Sequence, residues 1–152
     1  RGFLSFHSIP IQAVSLNSWK MKYSTEISDN EYTTVVHSTL EILSDKLLEL
    51  EDHIDIPGFD VEYTDGVLNL DLGNGNAYVL NKQPPNKQLW LSSPISGPKR
   101  YRWDSDTNKW VNSRDEHCLM NLLNSEIKEI TNVDLNITSQ GVYDEIMHCS
   151  KE

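Results

Sequence analysis

The sequence predicts an α+β fold in which two helices pack on one face of an antiparallel sheet of six or seven strands. Apolar residues recur at three- and four-residue spacing over residues 29–51 and again over 115–131, which is typical of helices with one buried face. Between these segments, six short runs alternate apolar and polar residues. Connections as short as theirs join only antiparallel neighbours. With both helices on one face, the other face of the sheet must meet water or a partner.

The first helix is expected over Asp29–Glu51. Ser28 and Glu31 fit a capping box, in which the two residues satisfy each other's free backbone amides. Pro57-Gly58 stops the helical pattern. The buried stripe of this helix is predicted to consist of Val36, Leu40, Leu43, Leu47 and Leu50.

The sheet is predicted from segments with a period of two that are separated by turn residues. The predicted strands are Phe59–Tyr63, Val67–Leu72, Asn76–Lys82, Lys87–Ser92, Lys99–Asp104 and Lys109–Asn112. The turn sequences between them are Asp65-Gly66, Gly73-Asn74-Gly75, Pro84-Pro85-Asn86, Ser96-Gly97-Pro98 and Ser105-Asp106.

The second helix is predicted over Asp115–Thr131, with Ser113 or Asp115 as its N-cap. Its apolar face is expected to consist of Leu119, Leu122, Leu123, Ile127 and Ile130. The chain beyond Gln140 is expected to be loose, as chain ends often are. The predicted organisation is therefore a flexible, presequence-derived tail over residues 1–27, one domain over 28–135 and a C-terminal extension over 136–152.

The start of the chain indicates a mitochondrial address. Residues 1–25 contain no Asp or Glu but five serines, and Arg1, Lys20 and Lys22 supply positive charge. A segment that lacks acids and is rich in serine is typical of the end of a mitochondrial presequence. One alternative is that this segment is a tail that carries no targeting signal. A second is that the chain is a secreted acidic binding domain, because Asn136-Ile137-Thr138 fits a glycosylation sequon.

Composition excludes several classes of function. The formal net charge of -10 argues against nucleic acid as a partner, because phosphate binding needs a basic surface. No apolar run is long enough to span a bilayer. Cys118 and Cys149 lie far apart and near no other Cys, which makes them a poor disulfide framework and a poor zinc site. Catalytic triads and phosphate loops are also missing from the sequence.

The exposed side of the first helix is unusually acidic. Glu41, Asp45, Glu49 and Asp52 lie opposite its apolar stripe, and the only base between residues 26 and 55 is Lys46. Glu41, Asp45 and Glu49 follow one another at intervals of four residues. Like charges at that spacing on a helix repel each other by about 0.2–0.5 kcal/mol per pair. Such a row can hold divalent cations weakly through oxygen, without preferring iron to Mg, Ca or Mn. The alternative is a solvated helix face with no ligand.

The fourth predicted strand places a tryptophan on the open face of the sheet. In this strand alternation sends Leu89 and Leu91 to one face and Trp90 to the other. An exposed Trp among polar neighbours is typical of an interface anchor. The alternative is a ring lying flat beneath Arg100, since the stems of arginines often cover aromatic surface. Between residues 80 and 115 there are seven basic and three acidic residues, so this region is basic while the first helix is acidic.

One continuous stretch resembles the signature of the frataxin family almost residue for residue. It reads Asn81-Lys82-Gln83-Pro84-Pro85-Asn86-Lys87-Gln88-Leu89-Trp90-Leu91-Ser92-Ser93-Pro94, followed by Ser96-Gly97-Pro98-Lys99-Arg100-Tyr101. A looser similarity covers about residues 28–135. The resemblance implies a frataxin-like α–β sandwich located in the mitochondrial matrix.

The resemblance also implies a function and its residues. Members of this family bind ferrous iron weakly and exchangeably on an acidic ridge, which here corresponds to Glu41, Asp45, Glu49, Asp52 and Asp60. They dock on the complex of cysteine desulfurase and iron–sulfur scaffold protein, where they promote sulfur transfer and iron supply. The docking positions, called the Trp90 surface below, correspond to Asn81, Gln83, Gln88, Trp90 and Arg100.

The same resemblance leaves an enzymatic alternative open. A weak ferroxidase, oxidising Fe2+ with O2 on the acidic ridge, would instead store iron or carry it, including to ferrochelatase for haem synthesis. Weak, exposed ligands make a poorly preorganised redox site, so the binding role ranks first. The chain is expected to be a monomer or a metal-dependent oligomer, with other divalent cations as further ligands of the ridge.

Overall fold

The computed structural model describes residues 26–149, so the predicted presequence-like segment lies almost wholly outside the described residues. In this part the chain forms three α-helices, a short 3-10 helix (Pro84–Asn86) and six strands. The helices are α1 (Asp29–Glu51), α2 (Leu119–Thr131) and α3 (Ser139–Cys149). The strands are β1 (Phe59–Thr64), β2 (Val67–Leu72), β3 (Ala77–Gln83), β4 (Gln88–Ser93), β5 (Gly97–Asp104) and β6 (Lys109–Asn112). No helix among residues 26–149 is long and apolar enough to cross a membrane.

The sheet confirms the predicted α+β class. Its six strands lie in chain order, β1 to β6, and every neighbouring pair is antiparallel. Alternation gives the sheet one core face, on which side chains such as Leu70, Tyr78 and Leu91 are fully buried. The strand residues that alternate with these core residues, such as Asn69 and Val79, point to the opposite face, called the open face below.

Helix α1 has the predicted bounds and the predicted cap. The Ser28 hydroxyl accepts a hydrogen bond from the backbone N–H of Glu31 at 3.1 Å. The second half of the capping box is absent, because the Glu31 carboxylate instead accepts a hydrogen bond from the Ser105 hydroxyl at 3.1 Å. The five residues of the predicted apolar stripe are all buried in the core. Packing of this face, rather than propensity, gives such a helix most of its stability.

Helix α2 begins four residues later than predicted, and neither predicted cap is used. The connection before it is a turn held by Asn112, whose backbone N–H donates to the His117 carbonyl at 2.8 Å. The Asn112 side chain also accepts a hydrogen bond from the backbone N–H of Arg114 at 2.8 Å. Cys118 therefore occupies the N-cap, without a capping side-chain hydrogen bond.

The prediction of a loose chain beyond Gln140 is wrong. Residues 139–149 form α3, which packs against α1 and β6. Ile137, Val142 and Ile146 are buried in the same core cluster as the sheet. Val142 and Ile146 are one helical turn apart and so lie on one side of α3. The packed core therefore continues through Ile146, and three helices rather than two cover the sheet.

Candidate docking surface and acidic ridge

Trp90 stands in the middle of β4 and points to the open face of the sheet. Its neighbours Leu89 and Leu91 are buried in the core, as alternation predicts. The indole itself is half-buried and is not sealed inside the molecule. Across the neighbouring strands its partners in the register are Asn81 on β3 and Arg100 on β5.

Two polar contacts fix the orientation of the indole. Its Nε1–H donates to the Gln88 side-chain oxygen at 2.9 Å. The Arg100 guanidinium carbon lies 4.6 Å from the ring centroid, within the range of a cation–π interaction. The structure thus combines the two alternatives from the sequence, since an outward-pointing ring is partly covered by Arg100.

The amide of Gln88 is itself held on its other side. Its Nε2 donates to the Ser113 hydroxyl at 3.4 Å while its Oε1 accepts from Trp90. Ser113 is anchored in turn, because its backbone N–H donates to the Arg100 carbonyl at 2.9 Å. The sequence offers no signal for the contact of Ser113 with Gln88, which lies 25 residues away and meets it only through the fold.

All five residues of the Trp90 surface lie on the open face. Gln83 pairs with Gln88, Asn81 pairs with Trp90, and Trp90 pairs with Arg100. Beside the indole is a shallow cleft of about 240 Å³ to which Val79, Ser92 and Pro98 also contribute. The fold therefore gathers residues from three strands into one polar patch with a single aromatic centre, the composition of an interface anchor.

The acidic ridge is only partly assembled. Glu41, Asp45 and Glu49 are exposed along one side of α1, with Asp52 just past its end. Asp60 is on β1, where it pairs with Asp71 and alternates with core-facing neighbours, so it lies on the open face of the sheet. Within residues 26–149, no three His, Cys, Asp or Glu side chains are grouped so that they could hold a metal ion together.

The ridge is less isolated than its sequence indicates. The Lys46 ammonium lies 3.3 Å from the Glu49 carboxylate, and His37 Nε2 lies 3.3 Å from that of Glu41. The other ring nitrogen of His37 is 2.9 Å from the Tyr63 hydroxyl. Burial, and next the charge of Glu41, raise the pKa of Tyr63 above its ordinary value. Both contacts of the ridge carboxylates are exposed and contribute little to stability.

Helix α3 adds polar groups beside the ridge that the sequence pattern does not predict. Glu145 and His148 line the same groove as Glu41 and Asp45, a space of about 540 Å³. Only the docking of α3 onto α1 brings these side chains near each other. The sequence does not predict this proximity, because Glu145 and His148 lie about 100 residues from Glu41 and Asp45, in a segment expected to be loose.

Comparison with known proteins identifies relatives of the region that contains α1, the sheet and α2. A family model described as the frataxin-like domain matches residues 25–133 of this chain. Mitochondrial frataxin of Arabidopsis thaliana is 42% identical over 108 residues, which are 71% of this chain and 58% of that protein. Mitochondrial frataxin of Caenorhabditis elegans is 44% identical over 117 residues, which are 75% of this chain and 85% of that protein. The chain therefore spans little more than half the length of the Arabidopsis relative.

A solved structure gives the same relationship. Trimeric frataxin from the yeast Saccharomyces cerevisiae, in a crystal structure complexed with ferrous iron, is 38% identical and superposes with a TM-score of 0.58. That match covers 65% of this chain and 87% of the yeast chain. The Arabidopsis and nematode relatives are named as mitochondrial proteins, which confirms the predicted mitochondrial location. Since the family model covers well over half of its length, the chain belongs to the frataxin family.

Proposed function

We propose that this protein is an iron-binding accessory factor of mitochondrial iron–sulfur cluster assembly. Through the Trp90 surface it docks on the complex of cysteine desulfurase and scaffold protein, and there it promotes sulfur transfer and ferrous iron supply. The observation that carries the proposal is the half-buried indole of Trp90, held outward on the open face between Gln88 and Arg100. The yeast relative with ferrous iron supports the iron part.

The physical argument for docking rests on preorganisation. An indole that is already fixed by a hydrogen bond and a cation loses little rotamer freedom when a partner covers it. Tryptophan and arginine are also the residues that most often dominate the binding energy of protein interfaces. Neither contact is needed for the core, which is filled from the other face of β4. The surface is thus available for binding without cost to the fold.

Replacing the indole tests the proposal directly. Trp90→Ala should weaken binding to the purified desulfurase–scaffold complex by roughly 30-fold or more, as expected for a residue at the centre of an interface. Ile95→Ala is the matched control, because Ile95 is an exposed apolar residue on the β4–β5 turn, outside the Trp90 surface. Calorimetric titration gives both affinities, and circular dichroism checks that each variant is folded. Equal affinity of Trp90→Ala and wild type would exclude this surface.

Iron supply is the second part of the proposal, and the ridge carboxylates would provide it. Exposed carboxylates without a closed ligand set bind Fe2+ weakly and reversibly, which suits delivery better than storage. The triple ridge variant, Glu41→Gln/Asp45→Asn/Glu49→Gln, should lose Fe2+ binding in an anaerobic titration while retaining the affinity for the desulfurase–scaffold complex. Unchanged iron binding would remove the ridge from the proposal.

A ferroxidase is the alternative function, and it makes a different prediction. If the ridge oxidises iron, wild-type protein should speed oxygen uptake in a ferrous solution, and the triple ridge variant should not. The docking proposal instead expects oxygen uptake near the uncatalysed rate for both proteins, since the ridge lacks a grouped set of ligands among the described residues. An oxygen electrode distinguishes the two.

A further inference from the structure

A groove next to the Trp90 surface concentrates positive charge in an otherwise acidic protein. It has a volume of about 860 Å³ and is lined by Lys99, Arg100 and Arg114 together with Ser96, Ser113 and Asp115. The whole chain carries a formal net charge of -10, yet three basic residues and one acidic residue line this groove. Lys99 and Arg100 are consecutive in β5, so they approach the groove from opposite faces of the sheet. Oppositely charged patches on one molecule orient its encounters with partners.

The three cations form no close ion pair within residues 26–149, although, after the hydrogen bond from His117, the charge of Lys99 also helps to lower the pKa of Asp115. Among the residues that the structure describes, no carboxylate lies within ion-pair distance of any of them. Arg102, by contrast, is engaged with Glu116 at 3.1 Å. The single carboxylate of the groove, Asp115, already accepts a hydrogen bond from His117, which is the main cause of its lowered pKa.

The groove is also built on rigid supports. Lys99 and Arg100 belong to β5, where they pair with Leu91 and Trp90 of β4. On its other side Arg100 is held through its carbonyl, which accepts a hydrogen bond from the backbone N–H of Ser113 at 2.9 Å. Arg114 lies in the turn after β6, where its backbone N–H donates to the Asn112 side chain at 2.8 Å. Cations on fixed backbone lose less entropy when they bind than cations on a free loop.

Two residues line the groove and also belong to the contacts that orient the Trp90 ring, here called the indole clamp. Arg100 lines the groove and also covers the Trp90 ring. Ser113 lines the groove and also holds the amide of Gln88 that orients the same ring. A ligand in the groove would therefore touch the residues that set the orientation of Trp90. The groove is continuous with the proposed docking surface and not a separate feature of the molecule.

We infer that this groove binds an acidic peptide segment of the protein that docks on the Trp90 surface. An extended segment with several Asp or Glu side chains suits the groove because its cations are spread over two elements, β5 and the connection to α2. The hydroxyls of Ser96 and Ser113 would add donors to the carboxylate oxygens. This inference rests on the proposed function in one respect, namely that the segment belongs to the docking partner.

The test uses a peptide, so that it does not depend on the partner. A synthetic hexaglutamate peptide is titrated into 15N-labelled protein at fixed ionic strength. Amide shifts are expected around 96–100 and 112–115. Lys99→Gln/Arg114→Gln should weaken binding by roughly 2- to 30-fold, the range for losing two exposed ion pairs. Lys82→Gln/Lys109→Gln is the control, because it removes the same charge from residues that do not line the groove.

The outcomes separate this inference from the proposed function. Equal weakening by the control variant, or the absence of peptide shifts around the groove, would show general charge attraction and overturn the inference. Inorganic phosphate that displaces the peptide at matched ionic strength would show a small-anion site, which also overturns it. The peptide titration contains neither the desulfurase nor the scaffold protein, so a failure of the Trp90 docking proposal would not alter this result.

Discussion

Docking of α3 is the feature whose energetic consequence follows most directly from the structure. Ile146 is 3% exposed and packs in the central cluster, whereas its neighbour Met147 is 42% exposed. Truncating a buried isoleucine to alanine removes transfer free energy and leaves a cavity, at a cost of about 2–5 kcal/mol. Ile146→Ala should therefore lower the free energy of unfolding by that amount, a large fraction of the roughly 5–15 kcal/mol of a typical domain.

Urea unfolding and thermal melting measure this effect. For a chain of this size, about 2–4 °C of melting temperature corresponds to 1 kcal/mol, so Ile146→Ala should melt roughly 4–20 °C below wild type. Met147→Ala is the control on the same helix, and its effect should stay within about 0.5 kcal/mol. If both variants had equally small effects, α3 would not be docked as described, and the groove shared by Glu145 and Glu41 would not exist.

Three further predictions concern buried polar groups and charge. The Ser93 hydroxyl donates to the buried carboxylate of Glu126 at 2.5 Å, so Ser93→Ala should destabilise the protein by about 1–3 kcal/mol in urea, and a cost near zero would contradict this bond. Burial raises the pKa of Tyr78 and of Tyr101, so both stay protonated where unfolded tyrosine ionises. The contribution of these two protonated hydroxyls to folding stability is complete below about pH 10 and is lost as the pH rises further. The melting temperature should therefore fall above about pH 10, and it should fall less in Tyr78→Phe than in wild type. The triple ridge variant should melt slightly higher than wild type because repulsion is relieved, and a lower melting temperature would mean that the ridge ion pairs are worth more than exposed pairs usually are.

The sequence predicts those parts of the fold that depend on local patterns. Alternation placed Trp90 outward and the leucines beside it inward, and the predicted bounds of α1 match those in the structure. The strands are short and joined by turns, so chain order and spatial order coincide. Each of these features is decided by residues within a few positions of each other.

What the sequence does not predict depends on contacts between distant residues. The start of α2 is set by hydrogen bonds of Asn112 across the connection, which override the capping tendency of Ser113. Between Ser139 and His148, α3 has two core residues, Val142 and Ile146, which are too few for a periodic signal. The helix becomes stable by packing on α1. The clamp on Trp90 needs the cross-strand register and the approach of Ser113, neither of which has a local signature.

The most direct test of the account is the rate of sulfur transfer by the purified desulfurase–scaffold complex with and without this protein. Wild type and Ile95→Ala should both raise the rate, whereas Trp90→Ala, folded and at the same concentration, should leave it close to the rate without the protein. Full stimulation by Trp90→Ala would contradict the claim that the outward indole docks this protein on its partner.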